Sequence, residues 1–152
     1  MECTLIPAQA ASLIGRTRER SHHVTEHEII RFSHATGCKF TRIGGEIEAP
    51  LLFTQALSYE SLPLEELPPD GSPGELDVSL PATRTVGGSS EYEIYRKLRA
   101  GEIVNIRSSL RNITARNGRS GLLYLVEVET CFFDSNEEPV ARELATFIKR
   151  QD

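Results

Sequence analysis

The segment from Pro50 to Tyr59 (PLLFTQALSY) constrains the fold of this chain more than any other. Pro50 stands where a first helical residue is favoured: its missing N–H would have no partner there and its φ already suits a helix. Leu51, Leu52, Phe53, Ala56, Leu57 and Tyr59 then go all the way round the helix instead of forming one stripe. A helix that is apolar on every side has no face for water, so other parts of the chain must wrap it.

The preceding elements lead into it. A helix is expected from about Glu26 to Thr36. Thr25 caps it, Glu28 completes a capping box, and Val24 and Ile29 hold the two positions of a hydrophobic staple. Gly37 supplies the stop. Ile29, Phe32, Ser33 and Thr36 share one face, while His27, Arg31 and His34 share the opposite one. Residues Thr41 to Glu48 are polar and Gly-rich, which reads as a loop.

Downstream, Leu62 to Thr83 carries Pro63, Pro68, Pro69, Pro73 and Pro81, which exclude a long regular element and leave a long loop or flap. Strand patterns follow at Ser89–Tyr95, Glu102–Ala115, Leu122–Phe133 and Val140–Ile148. Val104, Ile106 and Leu110 face inward on the second, with Arg107 and Arg111 outward. Tyr124, Val126, Val128 and Phe132 face inward on the third, with Glu127 and Glu129 outward. Asn117-Gly118 marks the hairpin between these two. Both inward sets carry even numbers, so opposed residues need an even sum, and a two-residue turn at Asn117-Gly118 would break that match. The expectation is an odd-length loop or a bulge around Asn117–Gly121, with Arg107 opposite Glu129 as a surface pair of small worth. The assembly is α+β: an antiparallel sheet curled round one buried central helix, the hot-dog arrangement. Its edge strands invite pairing with a second copy or a relative.

The 152 residues suit one domain spanning residues 1–152. A net charge of −5 argues against binding to a phosphate backbone, so no nucleic acid is expected. No apolar run approaches a membrane span, and Met1 to Ala11 lacks the pattern of a signal peptide. Cys3, Cys38 and Cys131 form no CxxC pair, which favours a reduced, cytoplasmic setting and no zinc.

Ala35-Thr36-Gly37, Ala49-Pro50, Val86-Gly87-Gly88, Leu98-Arg99-Ala100-Gly101-Glu102, Arg116-Asn117-Gly118-Arg119-Ser120-Gly121 and Val140-Ala141-Arg142 follow one another in order. In that order they resemble the amino-terminal type of MaoC-like dehydratase, related to mesaconyl-CoA hydratases and to the dehydratase domains of fatty-acid synthases, over about Leu13 to Arg150. Gly101-Glu102 departs mildly from the usual Gly-Asp. The resemblance implies a coenzyme A thioester as substrate or ligand, with no other cofactor. Catalytic members carry Asp-x4-His after the helix that ends in Thr-Gly. One group takes the proton from water and the other delivers a proton to the α-carbon. Here Cys38 stands in place of the Asp and Ile43 in place of the His, and the link to Pro50 is short. No catalytic residue is assigned. The resemblance then implies the supporting half of a double hot dog. The substrate-binding candidates are Ala49, Pro50, Leu51 and Leu52, whose amides open the buried helix where relatives contact the thioester carbonyl, and Gly87 and Gly88. That glycine pair suits a ligand's close approach and a strand bulge equally.

Plainer readings fit the remaining residues. His34 faces solvent. His22, His23 and His27 straddle a strand and a helix without the spacing of a metal site, so no metal is expected. Cys38 is a buried or inert thiol. Lys97, Arg99 and Arg119 are solvated turn charges sooner than a grip on coenzyme A phosphates. The sequence therefore suggests a non-catalytic, tunnel-forming subunit of an (R)-specific enoyl-CoA hydratase or 3-hydroxyacyl-thioester dehydratase, binding an acyl-CoA thioester as a homodimer or with a catalytic hot-dog subunit. The alternatives are a homodimeric acyl-CoA-binding or assembly module without catalysis, and a hot-dog thioesterase using Glu46, Glu48 or Glu60.

Overall fold

The structure is a computed structural model that describes residues 5–68, 72, 78–119 and 121–151. Cys3, Ser120 and parts of the Pro-rich segment (69–71, 73–77) lie outside the described residues. A short helix α1 (Ala8–Ala11) leads to strand β1 (Thr17–His23) and helix α2 (Glu26–Thr36). A small hairpin of β2 (Thr41–Ile43) and β3 (Glu46–Glu48) precedes a 3₁₀ helix at Leu51–Leu57. The long strands β4 (Arg84–Ile94), β5 (Ile103–Gly118), β6 (Gly121–Phe133) and β7 (Pro139–Arg150) complete the chain. The main sheet has the order β1-β5-β6-β7-β4 and every pairing in it is antiparallel.

The α2 boundaries follow from its caps. The amide of Glu28 donates to Thr25 Oγ1 (3.2 Å), and the amide of Thr25 donates to Glu28 Oε2 (2.9 Å). Gly37 ends the helix at φ 72°, a left-handed conformation that glycine adopts without steric cost.

The inward faces of the sheet carry two apolar clusters. Val24, Ile29, Ile47, Phe53, Leu57, Val104, Ile106 and Phe132 belong to one, beneath α2 and the 3₁₀ helix. Ala10, Val78, Leu110, Ile113, Tyr124, Val126 and Val128 belong to the other, beneath α1 and the last described residues of the Pro-rich segment. The hot-dog arrangement is therefore present, with differences from the sequence expectation. The central helix is a 3₁₀ helix and is not buried on every side: Phe53 and Leu57 are inside, but Leu51 is 54% and Leu52 45% exposed. Residues 41–48 form the β2–β3 hairpin instead of a loop, with Gly44 and Gly45 both at positive φ in its turn. A short 3₁₀ turn, Leu64–Glu66, interrupts the Pro-rich loop.

The β5–β6 register corrects the expected position of the irregularity. One extra residue is indeed accommodated, but at Arg111, between the pairs Leu110↔Val128 and Asn112↔Glu127. The bulge changes the parity, so Ile113 takes over the inward face opposite Val126 and the hydrophobic match survives. Asn117 and Gly118 are rungs of the ladder, opposite Leu122 and Gly121, and not the turn. Arg107 consequently stands opposite Cys131, not Glu129. It pairs with Glu19 (3.1 Å) and Glu137 and lies over the Phe133 ring. Glu129 is taken by Arg142 (2.7 Å) and Arg111 (3.5 Å).

Candidate functional site

The link after α2 positions no acid–base pair of Asp-x4-His type. Thr36 Oγ1 donates to the carbonyl of Phe32 (2.8 Å) and accepts from the amide of Cys38 (3.3 Å), which fixes the chain as it leaves the helix. Cys38 is a free thiol and exposed, so of the two expected states, buried or inert, it is not the buried one. Ile43 is exposed on the small hairpin, and His34 is exposed on α2 as expected. His22 instead points toward α2, with Nε2 2.9 Å from Glu28 Oε1. Burial pushes the Glu28 carboxyl up, but the donors from Thr25 and the charge of His22 outweigh it and hold it below its ordinary value. Among the described residues, no group of His, Cys, Asp and Glu could hold a metal ion.

The candidate binding residues are divided by the fold. Ala49 is 1% exposed, and its amide is already committed to the carbonyl of Leu98 (2.8 Å). Pro50 has no N–H. Leu51 and Leu52 retain amides without an acceptor among the described residues, next to their own exposed side chains. Beside them, Glu28, Arg31, Phe32 and Ala35 of α2 and Phe53, Ala56 and Leu57 of the 3₁₀ helix line a groove of about 400 Å³, so the Glu28 carboxylate paired with His22 stands on its wall. Its floor is fixed by the edge-to-face contact of Phe32 and Phe53, with centroids 5.6 Å apart. Gly87 and Gly88 lie elsewhere, on β4 against the second cluster. Gly87 pairs with Phe147 and Ser89 with Thr146, which leaves Gly88 as the extra residue of a bulge. A Cβ on Gly88 would lie 2.7 Å from the carbonyl oxygen of Thr146, so the backbone approach alone demands glycine. Lys97 and Arg99 are turn charges held by carboxylates: Lys97 by Glu48 (3.2 Å), Arg99 by Glu46 (3.8 Å) and Glu48 (3.9 Å).

The feature the sequence reading missed is a polar row across the inward face of the sheet. Ser108 of β5 stands opposite Thr130 of β6, Thr130 opposite Glu143 of β7, and Glu143 opposite Tyr92 of β4. Ser108, Thr130 and Glu143 are buried, Glu143 at 2% exposure. The row separates the two apolar clusters. Ser108 and Thr130 hydroxyls lie 3.3 Å apart. The Glu143 carboxylate accepts from Ser58 Oγ at the end of the 3₁₀ helix (2.6 Å) and from Tyr92 Oη (2.5 Å). Burial and the Glu143 carboxylate together raise the Tyr92 phenol above its ordinary value, so it remains a donor. Glu143, which the sequence reading did not single out, is thus a carboxylate hydrogen-bonded to the end of the central helix. Its signal was present in Ala141-Arg142-Glu143-Leu144-Ala145: alternation puts Glu143 on the same face as two small inward residues. With two hydroxyls sealing both oxygens, it is held as a structural group and faces no cavity among those described.

Comparison with known proteins decides the family. Residues 12–143 match the FAS1-like dehydratase domain region. The chain belongs to that family. Its fold is also that of solved MaoC-like and (R)-hydratase structures. The ChsH1-ChsH2 complex of Mycobacterium tuberculosis aligns at a TM-score of 0.70 and 16% identity, over 94% of this chain and 94% of that one. HadBC, a 3R-hydroxyacyl-ACP dehydratase complex from the same organism, aligns at 0.65 and 16%, over 90% and 96%. The (R)-hydratase PhaJ1 of Pseudomonas aeruginosa aligns at 0.64 and 15%, over 95% and 86%. No curated protein matches the sequence. Among the described residues, no helix is long and apolar enough to cross a membrane.

Proposed function

We propose that this FAS1-like dehydratase chain is a non-catalytic, tunnel-forming subunit of an (R)-specific enoyl-CoA hydratase or 3-hydroxyacyl-thioester dehydratase. The observation that carries this is the replacement of the proton-transfer pair: Cys38 follows Thr36-Gly37 and Ile43 occupies the second position, both exposed. Hydration of an enoyl thioester needs one group to take a proton from water and another to protonate the α-carbon within hydrogen-bond reach. In this reading both come from a partner hot-dog subunit. This chain supplies the groove between α2 and the 3₁₀ helix, apolar along Phe32, Ala35, Phe53, Ala56 and Leu57, for the acyl-CoA thioester, and the amides of Leu51 and Leu52 for the thioester carbonyl. Ala49 and Pro50 position those amides through the bond to Leu98. The exposed leucines beside the groove also suit a subunit interface, and HadBC and ChsH1-ChsH2 were solved as complexes.

The test is hydration of crotonyl-CoA by the chain alone and after addition of the protein that co-purifies with it from its native cell. The expected result is no turnover alone and turnover together. An ordinary enzymatic rate from the purified chain alone refutes the proposal. Thioester binding with no gain from any partner favours the acyl-CoA-binding module instead.

A further inference from the structure

The inward side of the β1 edge holds a cavity of about 220 Å³ lined by Arg18, Glu19, Arg20, Glu60, Ile106 and Ser108. Its charged groups are not equivalent. Glu19 is taken by Arg107, and Arg20 donates to the carbonyl of Leu57 at the end of the 3₁₀ helix. Arg18 and Glu60 line the same cavity, yet among the described residues neither side chain has a hydrogen bond or ion pair, with the other or with anything else. Arg18 stands opposite Ser108, so an uncommitted guanidinium terminates the buried polar row. The cavity lies past the end of the 3₁₀ helix, at the opposite end from the amides of Leu51 and Leu52.

We infer that this cavity receives a carboxylate at the far end of the acyl group, so that the chain prefers thioesters of dicarboxylic acids. A guanidinium fork pairs with a carboxylate through two hydrogen bonds, and the Ser108 hydroxyl offers a further donor. Glu60 on the same lining opposes a dianionic phosphate more strongly than a singly charged carboxylate, which decides between the two anions. The helix sets the length. Seven residues of 3₁₀ helix at about 2.0 Å each span roughly 14 Å. At about 1.2 Å per bond of an extended chain, that corresponds to roughly a dozen bonds. The inference rests on the acyl-thioester reading above.

The test compares dodecanedioyl-CoA, dodecanoyl-CoA and free coenzyme A by calorimetry. The full chain is used with whatever partner accompanies it on purification. The dicarboxylic thioester is expected to bind about tenfold tighter than its monocarboxylic match, the scale of a hydrogen-bonded charge pair. Arg18→Gln should abolish that ratio while leaving dodecanoyl-CoA unchanged. Glu60→Gln should increase it, a change of opposite sign that a misfolded variant would not produce. Equal binding of the two thioesters by the wild type overturns this inference alone, as does a ratio unaffected by Arg18→Gln. Weaker binding of free coenzyme A by Arg18→Gln also overturns it, because Arg18 would then be reading a phosphate. Binding of none of the three overturns both this inference and the acyl-thioester reading.

Discussion

Removing the Tyr92 hydroxyl tests the buried polar row most directly. Glu143 is 2% exposed and has two hydroxyl donors, Ser58 at 2.6 Å and Tyr92 at 2.5 Å. A hydrogen bond to a charged acceptor contributes about 1.5–3 kcal/mol, and its loss here leaves one carboxylate oxygen desolvated without replacement. Tyr92→Phe should therefore lower the stability by about 2 kcal/mol, a large share of the roughly 5–15 kcal/mol of an ordinary domain. Ser58→Ala should cost a similar amount, and the two together more than their sum, because the second loss strands the carboxylate entirely. The decisive variant replaces all three groups: Tyr92→Phe, Ser58→Ala and Glu143→Leu. Its new leucine lies between the two apolar clusters, so stability should return to near the wild-type value. Urea unfolding at constant m reads each step as a shift of the midpoint. The reasoning is refuted if Tyr92→Phe falls within about 0.5 kcal/mol of wild type, or if the triple variant is no more stable than the double.

Further outcomes follow from the same geometry. The folded-state rise of the Tyr92 phenol means the unfolded chain loses that proton first. Stability from this group is complete below the ordinary tyrosine value of 10.0 and declines above it, so wild type should lose its advantage over Tyr92→Phe in urea melts as pH rises past 10.0. Glu28 has the opposite sign: its lowered value gives stability that is present above 4.5 and lost as pH falls below it. Thr25→Ala should cost about 1 kcal/mol near neutrality through the lost cap and flatten that acid limb in the same melts. Phe53→Ala removes a side chain with 1% exposure and should cost about 3–5 kcal/mol by denaturant unfolding. Gly88→Ala should cost about 1–3 kcal/mol and raise amide exchange along β4, because the β4–β7 pairing must shift to admit the new methyl; unchanged exchange there would count against the bulge.

What could be read from the sequence was local or periodic. The Thr25–Glu28 box and Gly37 fixed α2 at both ends, because capping depends on neighbours three residues apart. Strict alternation identified the inward faces of β5 and β6, because a strand has only two faces. The parity of those faces even required one unpaired residue between β5 and β6. Its location at Arg111 was not legible. Any bulge beyond Leu110 restores the match, and the choice depends on how Ile113 and Tyr124 pack in the second cluster. The 41–48 hairpin was missed for a related reason: its strands are short, and the single inward residue, Ile47, gives no period to detect.

Alternation alone would have put Glu143 on the inward face, but the partners of Glu143 and Arg18 were illegible for a different reason, and it bears on the site. Each looks like an ordinary strand charge in sequence. They acquire meaning only when Arg18, Ser108, Thr130, Glu143 and Tyr92 are brought into one line by four separate strand pairings. One end of that line is sealed, with the carboxylate satisfied by two hydroxyls; the other opens beside a cavity with an uncommitted guanidinium. Arg18 and Glu60 are both exposed, where an ion pair between them would add at most about 1 kcal/mol, so the fold loses little by leaving them unpaired. Leaving both charges unmatched is consistent with an outside ligand completing them. Substitution at the sealed end should therefore change stability, and substitution at the open end should change binding. A variant at Arg18 that lowers the unfolding midpoint as much as Tyr92→Phe would contradict that division.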